Sequence, residues 1–486
     1  MDPAGSKRRW ISQLRETFPL TGVDLIAPKV MARGVYGFPF PDPAEIEPAV
    51  SYLRQRFHLA LQRWPFLAGQ VVQDEGDQHF KLVFSHDPAN FSINRFPDEV
   101  FDFQVLGTSD FAWTYDELSM NRVPPSALTR DVFSLEPHNP AVGRPNYPAA
   151  LRVSFIDGGL LLCFSLDHRV VDGVSIVQFV TFFSSAETAG FDAAYFNDLL
   201  QRRNAINTIQ NGTAAADLTR LPNLDVAPAT PAAPPNANLS SVARILAFSA
   251  ATVDSLHARA LQHVKLSHGT SSFLSKPDVL GALVWQHVLR ARRPRLQPDE
   301  TARFASACDL RTRSADPSIT GPPAYFGNMF VRSTASGAVR DLAPAAEARR
   351  PVTLQRVAET AWLVRRGVAT LRHPHDVAAA VRLCGVAGSS SISNAFTYDL
   401  DKGRTGLSNS ITTRMGADVM FAHVPGVRPG PPGWVRKTYS ATEGSMNILP
   451  RRGGAAGAAD WEVSVALRVD DMDRICAAQE LGQYLL

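Results

Sequence analysis

Long apolar segments are missing from this sequence of 486 residues. No apolar run approaches the roughly 20 residues of a membrane-spanning helix. The first residues, MDPAGSKRRWISQL, also lack the apolar core of a secretory signal. These absences predict a protein of a reducing, aqueous compartment, with a cytoplasmic location and no membrane insertion.

Cysteine is scarce, and its spacing is not that of a zinc site. The four cysteines are single residues with no CxxC pair, which predicts free thiols rather than metal ligands. His373 and His375 flank a proline and resemble metal ligands, but the neighbouring sequence offers no third partner. Because zinc sites use three or four protein ligands, we predict no metal site.

An excess of charge of one sign is also missing. The formal net charge is only +3, and charged residues make up 20% of the chain. This balance gives no reason to expect nucleic acid or an anionic membrane as a partner.

The composition that is present indicates a folded protein of two domains. A hydrophobic content of 45% is typical of globular proteins, and 486 residues exceed what one core usually organises. Residues 221–241 are rich in Pro, Ala and Asn, so we interpret them as a crossover linker. This predicts an N-terminal domain over 1–220 and a C-terminal domain over 242–486. Helical and strand patterns mix in both, which predicts an α/β class with mixed sheets.

Apolar spacing predicts the elements around the most informative part of the chain. A helix is expected over 45–64 and a strand at 70–72. A hairpin over 149–166 has an almost continuously apolar second strand, which predicts burial on both faces. A helix is expected to begin at Gly173. In the second half, the pattern predicts strands at 242–248, 302–310, 329–333, 447–450 and 461–469, and helices at 251–264 and 276–292.

A histidine directly follows the predicted buried strand, in the string SLDHRVVDG over 165–173. The strand would hold His168 rigidly, and an imidazole can accept a proton from an attacking hydroxyl, amine or thiol. Asp172 follows four residues later, where it either contacts the imidazole or pairs with a distant cation. A single histidine beside an apolar strand is more often an ordinary core residue, so the surrounding sequence has to decide.

This string resembles the HxxxDG signature of coenzyme A-dependent acyltransferases with the chloramphenicol acetyltransferase fold. DHRVVDG looks like the dihydrolipoamide acyltransferase domain, but that enzyme type is much shorter and lacks the motifs described next. Peptide-synthetase condensation domains carry a related HHxxxDG, and this chain has Asp167 in place of the first histidine.

Further strings resemble the BAHD superfamily, in particular its fungal branch of trichothecene acetyltransferases. They occur in the family's order and extend over nearly the whole chain. They are Pro19–Asp24 near the start, the P-x-L-A-G turn at Pro65–Gly69, the D-A-L-x-A-x-x-W helix at Asp278–Trp285, D-x-R-x-R at Asp309–Arg313 and Y-x-G-N at Tyr325–Asn328.

The family's second signature, DFGWG, is degenerate in this chain. Its expected place is Met420–Ala422, where only Phe421 remains, while Asp401–Gly403 keeps the Asp and Gly but lies too far upstream. In the family this motif is structural and lies near the cofactor channel. Its loss therefore concerns the geometry of the channel and not the identity of the base.

The resemblance implies two chloramphenicol acetyltransferase-like domains with a solvent tunnel between them. Acyl-coenzyme A would enter by one mouth and the acceptor by the other, so that His168 is reachable from both ends. His168 would act as the general base. Asp172 would be structural and pair with an arginine, for which Arg311 is the first candidate and Arg313 the second. Gly173 would support the motif.

Two weaker signals concern the binding of coenzyme A. The basic run over 290–295 makes Arg292 and Arg293 candidate ligands of its phosphates. The alternative is that this run complements a helix C-terminus and a solvated loop. Residues 408–410 occupy the place of tunnel-lining residues in the family, which makes Ser410 a candidate cofactor contact.

The resemblance therefore implies an acyl-coenzyme A-dependent acyltransferase that acts on a hydroxyl or amine of a small specialised metabolite, with acetyl as the expected acyl group. Acyl-coenzyme A would be a co-substrate, no cofactor would stay bound, and the chain would act as a monomer. Two alternatives stay open. The enzyme takes its acyl group from a carrier protein, or the chain is a non-catalytic member of the fold.

Overall fold

The computed structural model describes residues 16–72, 80–85, 100–135, 146–210, 240–344, 352–371, 373–389, 403–411, 415–416, 418–452 and 459–486. Most of the predicted linker, 221–239, lies outside these residues. Within the described ranges, no helix is both long and apolar enough to cross a bilayer.

The N-terminal half combines β-sheets with helices. Its strands are β1 (Glu16–Phe18), β2 (Met31–Pro39), β3 (Gln70–Val72), β4 (Lys81–Phe84), β5 (Phe101–Val105), β6 (Ala149–Ile156) and β7 (Gly159–Asp167). Its helices are α1 (Gly22–Leu25), α2 (Ile46–Arg63), α3 (Tyr115–Met120), α4 (Arg130–Phe133), α5 (Gly173–Ser184) and α6 (Ala193–Gln210). Strands β1, β4 and β3 form a small antiparallel sheet beside the main one.

The C-terminal half has the same mixture of elements. Its strands are β8 (Ser241–Phe248), β9 (Thr301–Asp309), β10 (Phe330–Ala338), β11 (Gly406–Ile411), β12 (Trp434–Arg436), β13 (Ser445–Ile448) and β14 (Trp461–Arg468). Its helices are α7 (Ala250–His268), α8 (Lys276–Arg292), α9 (Pro317–Thr320), α10 (Val339–Leu342), α11 (Leu354–Ala369), α12 (Pro374–Ser389), α13 (Val469–Ala477) and α14 (Gln479–Gly482). The predicted α/β class with mixed sheets is confirmed.

Strand β7 is the centre of the five-stranded sheet, whose order is β12-β2-β7-β6-β5. All nine of its residues are buried, as the continuous apolar run predicts. It pairs antiparallel with β2 and with β6, and Gly158 makes the turn from β6 with a φ of +68°. The predicted hairpin is confirmed, and it delivers the end of β7 to one edge of a rigid, buried sheet.

The six-stranded sheet, ordered β10-β9-β11-β13-β14-β8, belongs to the C-terminal half. Strand β11 is parallel to both of its neighbours, while the other pairs are antiparallel. One face packs against α7, α8 and α11 through a core that includes Trp285, Phe304 and Met446. The opposite face carries small and polar side chains near the candidate site.

A segment of the C-terminal half completes the N-terminal sheet. Strand β12 pairs antiparallel with β2, and the indole of Trp434 covers Gly37, where a Cβ atom would lie 2.3 Å from the ring. Phe421 packs edge-on against Phe38 with ring centroids 4.7 Å apart. The boundary at 242 stays a prediction of the sequence, but the two halves share this segment because the edge of β2 takes its hydrogen-bond partners from the C-terminal half.

A buried carboxylate joins the shared segment to the six-stranded sheet. Glu462 of β14 accepts a hydrogen bond from the guanidinium of Arg436 of β12 at 2.6 Å, and both side chains are buried. Arg122, which follows α3, lies 3.1 Å from the same carboxylate. These contacts fix β12 between the two sheets, because separating a buried pair leaves an uncompensated charge.

Predicted element bounds agree best where capping residues define an end. Helix α8 has the predicted bounds, since Ser275 and Asp278 form a reciprocal capping box at its start. Helix α2 is one residue shorter at each end than the predicted 45–64. Strand β10 continues to Ala338, beyond the predicted end at 333, because its small side chains still pair with β9.

Candidate active site

The turn after β7 is fixed by an ion pair within the turn itself. The carboxylate of Asp167 accepts a hydrogen bond from the backbone N–H of Arg169 at 2.9 Å and from its guanidinium at 2.6 Å, and both side chains are buried. The carbonyl of Asp167 accepts from the N–H groups of Val170 and Val171 at 2.9 and 3.1 Å. This pairing sets the conformation of the turn that carries His168.

The backbone of His168 is held by two other segments. Its N–H donates to the carbonyl of Val30, just before β2, at 3.0 Å. Its carbonyl accepts a hydrogen bond from Nδ2 of Asn328 at 2.9 Å, and Asn328 is fully buried in the loop before β10. Because these partners come from both halves of the chain, the position of the imidazole depends on how the halves pack.

The imidazole of His168 is partly exposed. Its Nδ1 is buried without a hydrogen-bond partner among the described residues. Since a buried Nδ1 cannot meet a substrate, Nε2 is the ring nitrogen available for proton transfer. The ring of Phe330 lies beside it, with centroids 5.4 Å apart.

The surroundings of His168 favour its neutral form. Burial lowers the pKa of His168 below its ordinary value, and the positive charges of Lys437 and Arg332 lower it further. The backbone of His168 and the carboxylate of Asp172 act in the opposite direction but do not reverse the shift. The ring is therefore neutral near pH 7, which is the form that a general base requires.

Asp172 binds away from the imidazole and serves as the cap of α5. Its carboxylate accepts hydrogen bonds from the N–H groups of Val174 and Ser175, both at 3.1 Å, and from the N–H of Met329 at 2.9 Å. Arg311 adds a bidentate pair at 2.9 and 3.1 Å. Although burial raises the pKa of Asp172, the guanidinium and the hydrogen bonds lower it overall. Of the two roles that the sequence left open for Asp172, the contacts fit the pairing with a distant cation.

Arg311, the first candidate partner of Asp172, also organises the Y-x-G-N motif. It donates to the carbonyls of Tyr325 at 2.9 Å and Gly327 at 2.7 Å. Gly327 has a φ of +146°, and a Cβ there would meet the guanidinium of Arg203 at 2.6 Å, which explains the glycine. The second candidate, Arg313, donates instead to the carbonyl of Val368.

A second buried ion pair, between Asp24 and Arg203, supports Asn328. Asp24 accepts from Nδ2 of Asn328 at 3.0 Å and forms a fully buried ion pair with Arg203. Arg203 also donates to the hydroxyl of Tyr325 at 2.8 Å and to the carbonyl of Pro19 at 2.6 Å. The strings Pro19–Asp24 and Tyr325–Asn328, far apart in sequence, therefore meet beneath His168.

The polar face of the six-stranded sheet lies on the Phe330 side of the imidazole. On this face Arg332 of β10 is opposite Ala307 of β9, and Ser410 of β11 is opposite Asn447 of β13. The parallel register of β9 and β11 places Ser410 beside Ala307, so these four residues form one row across four strands. Ala307 is exposed although β9 is flanked by strands on both sides. The sheet is therefore open to solvent above this row.

Two cationic side chains lie at the ends of this row. Lys437, which follows β12, donates to Oδ1 of Asn447 at 2.7 Å. Arg332 donates to the hydroxyl of Ser408 at 2.5 Å. Their charges act on His168, so the row lies within the electrostatic surroundings of the candidate base.

The two arginines predicted to bind coenzyme A phosphates lie elsewhere. Arg292 is fully buried and donates to the carbonyl of Gly406 at 2.8 Å, while Arg293 donates to the carbonyl of Ala343. Gly406 begins β11, four residues or roughly 13 Å before Ser410. The geometry does not support the assignment of Arg292 and Arg293 to the cofactor, because their guanidinium groups bind the protein's own carbonyls at the far end of the sheet.

Gly173 is the second residue that the sequence predicts to support the motif. It is exposed at the first position of α5, and a Cβ atom there would meet nothing within 4 Å. Packing does not require the glycine, so the expected support role lacks a contact in the structure. Instead, its position leaves open space at the start of the helix that Asp172 caps.

The other sequence signals lie away from His168 or outside the described residues. Phe421, left from the degenerate signature, forms an isolated bridge with Gly430 and packs in the N-terminal core. The upstream alternative at 401–402 is not among the described residues. His373 and His375 stack on each other, and the described part of the chain places no group of three or more potential metal ligands together.

The cations near His168 and the support of Asn328 were not predicted from the sequence. Lys437 and Arg332 were not among the predicted site residues, and the packing of β12 and β10 brings them to the site. Asp24 and Asn328 occur within quoted strings, so their presence was visible. Their hydrogen bond could not be predicted from local sequence, because it joins positions 304 residues apart.

Removing the cation that pairs with Asp172 tests the structural role of this pair. We expect Arg311→Met to lower the free energy of unfolding by about 3–5 kcal/mol, because the buried carboxylate loses its bidentate partner. Urea unfolding of the variant and the wild type measures this difference. Arg340→Met is the matched control, since its ion pair with Asp299 is exposed and should contribute little. Equal losses in both variants would contradict this role.

Comparisons with known proteins agree with this architecture. The model of the Transferase family matches residues 11–346. A curated relative, trichothecene 3-O-acetyltransferase TRI101 of Fusarium sporotrichioides, is 23% identical over 459 residues, which are 92% of this chain and 91% of the relative. A solved structure of F. sporotrichioides TRI101 complexed with coenzyme A and T-2 matches 97% of this chain and 99% of that chain, with a TM-score of 0.74 and 19% identity.

A second solved structure extends the likeness in fold. Vinorine synthase matches 97% of this chain and 94% of its own, with a TM-score of 0.59 and 17% identity. At these identities the two structures establish the fold, while the family model covers well over half of the chain. The chain therefore belongs to the Transferase family, the BAHD acyltransferases.

Proposed function

We propose that this protein transfers an acyl group, acetyl in the first instance, from coenzyme A to a hydroxyl or amine of a small specialised metabolite. His168 is the general base of this proposal. The observation that carries it is the arrangement around His168, which is held by backbone contacts from both halves, kept neutral by its surroundings and partly exposed.

The proposed reaction needs one proton acceptor that later returns the proton. Nε2 of His168 takes the proton of the acceptor hydroxyl or amine as its oxygen or nitrogen attacks the thioester carbonyl. The tetrahedral intermediate then collapses, the bond between carbon and sulfur breaks, and the imidazolium returns the proton to the departing thiolate. The nearby cations disfavour the imidazolium, which assists the second transfer.

Asp172 takes no part in proton transfer in this proposal. Its two carboxylate oxygens are occupied by Arg311, the cap of α5 and the N–H of Met329. Asp172 is therefore a positioning residue, which fixes the start of α5 and the Met329 loop on either side of the base.

The relatives support the substrate classes. F. sporotrichioides TRI101 was solved with coenzyme A and T-2, and the Fusarium graminearum enzyme with coenzyme A and deoxynivalenol. We place both substrates of this chain between the end of β7 and the open polar face of the six-stranded sheet, in the expected tunnel, with Ser410 on its wall. A cytoplasmic location and a monomeric state stay predictions of the sequence.

Acyl-coenzyme A turnover by the wild type and by His168→Ala tests the proposal. Free thiol release is measured with and without a panel of hydroxylated and amino acceptors. We expect acceptor-dependent release from the wild type and a loss of about 10²–10⁴-fold in the variant, because a general base contributes this much. His375→Ala is the control, since this histidine is exposed, and it should retain the activity.

Each other outcome of this experiment has a defined meaning. If the wild type turns over no acyl-coenzyme A, the proposed donor is wrong, and turnover of acyl groups on a carrier protein becomes the next assay. If no acyl donor is turned over, the chain is a non-catalytic member of the fold. If His168→Ala retains full activity, another group is the base.

A side chain at Gly173 tests whether the open space at the start of α5 holds substrate. We expect Gly173→Val to unfold at the same urea concentration as the wild type, because a Cβ meets nothing there. We also expect kcat/KM to fall by about tenfold or more, the effect of roughly 1.4 kcal/mol of lost binding. Gly482→Val is the matched control, since its Cβ also enters open space. Unchanged kcat/KM would place the substrates elsewhere.

A further inference from the structure

The row Arg332–Ala307–Ser410–Asn447 is an unusual surface to place beside a catalytic base. It combines an exposed alanine in a central strand with cations at both ends. Three strand spacings separate the Cα atoms of Arg332 and Asn447, or roughly 14 Å. The guanidinium of Arg332 reaches Ser408 of β11, and the ammonium of Lys437 reaches Asn447 of β13. A small group above Ser410 would therefore lie between the two charges.

Lys437 carries a positive charge that the described residues do not neutralise. Its ammonium group is 2.7 Å from the neutral oxygen of Asn447, and no carboxylate of the described part of the chain forms an ion pair with it. Burial, followed by the charge of Arg332, lowers the pKa of Lys437 to about 8. The group is still mainly charged at pH 7, and holding a charge in this place costs free energy that an anion would offset.

Three other buried cations of the chain are paired with carboxylates, unlike Lys437. Arg203 is paired with Asp24, Arg311 with Asp172 and Arg436 with Glu462, and all of these groups are buried. Lys437 follows Arg436 directly, yet it points to an amide oxygen at the open face. These buried arginines have carboxylate partners, whereas Lys437 has none among the described residues. The lack of a carboxylate partner is therefore specific to this cleft.

We propose that Lys437 and Arg332 bind a carboxylate of a substrate, so that this acyltransferase acts on an anionic acceptor or transfers an acidic acyl group. The inference rests on the proposed function, because it concerns the same cleft. A carboxylate above Ser410 would accept from both cations and from the hydroxyl of Ser410. Charged hydrogen bonds of this kind are the strong ones.

A role limited to the oxyanion of the tetrahedral intermediate explains the arrangement less well. One oxyanion needs donors at one point beside His168. The two cations here come from different strands, and each is already hydrogen-bonded to a fixed polar partner, Asn447 or Ser408. Two separate positive charges fit a permanent carboxylate of a substrate, whose two oxygens can accept from one cation each.

Calorimetric titration at about pH 7 with two matched pairs of probes tests the proposal. The donor pair is acetyl-coenzyme A and malonyl-coenzyme A, and the acceptor pair is 4-(hydroxymethyl)benzoate and its methyl ester, added with coenzyme A present. We expect the wild type to bind the carboxylate member of one pair at least about tenfold more tightly than its neutral partner. The pair that shows the preference identifies the substrate that carries the carboxylate.

Variants of Lys437 connect that preference to the row. Lys437→Met should abolish the preference for the carboxylate probe. If this variant folds poorly, Lys437→Gln, which keeps a polar contact with Asn447, should abolish the preference as well. Lys265→Met is the matched control, because Lys265 is exposed on α7, and it should keep the preference.

The proposal is overturned by either of two results. The first is a wild type that binds both members of each pair equally. If Lys437→Met then slows acetyl transfer, the charge of Lys437 is assigned to the oxyanion. The second is a carboxylate preference that survives in both Lys437 variants. If neither acyl-coenzyme A binds at all, the proposed donor fails, while the acceptor pair still decides this inference.

Discussion

The bidentate ion pair between Asp172 and Arg311 is the contact on which the rest of the site depends. Asp172 ends the turn that begins at His168 and caps α5. Arg311 follows β9 in the other half, pairs with Asp172 and donates hydrogen bonds to the carbonyls of Tyr325 and Gly327. The pair therefore fixes the loop that presents Asn328 to the carbonyl of His168. A buried pair of this kind adds little net stability, but losing one partner is costly, so it acts as a constraint on geometry.

Charge in the interior follows a consistent pattern around this constraint. The buried carboxylates of Asp24, Asp167 and Asp172 are each matched by an arginine. None of these carboxylates forms an ion pair with His168. Burial is the largest influence that keeps the imidazole neutral, and the positive charges of Lys437 and Arg332 act in the same direction. The same two cations carry the inferred preference for an anionic substrate.

Much of the fold and the central motif could be predicted from the sequence, because the signals are local. The apolar run of β7, the turn at Gly158 and the capping residues of α8 each act within a few positions. The family resemblance added Arg311 as the partner of Asp172, which spacing alone does not reveal. The contacts of Arg292 and Arg293 do not support their assignment to the cofactor, and a basic run alone does not tell whether its groups face solvent or the protein's own carbonyls. The crossing of β12 and the row under Lys437 depend on strand register between distant segments, which local patterns do not encode.

The most direct test of this account is the pKa of His168, measured by NMR titration of the protein with ¹³C-labelled histidine. Contacts from both halves bury the imidazole, and two cations act on it. We expect a pKa for His168 below the ordinary value of 6.5, because burial disfavours the charged ring. A pKa for His168 above 6.5 would contradict the account, because it would mean that burial does not keep the base neutral.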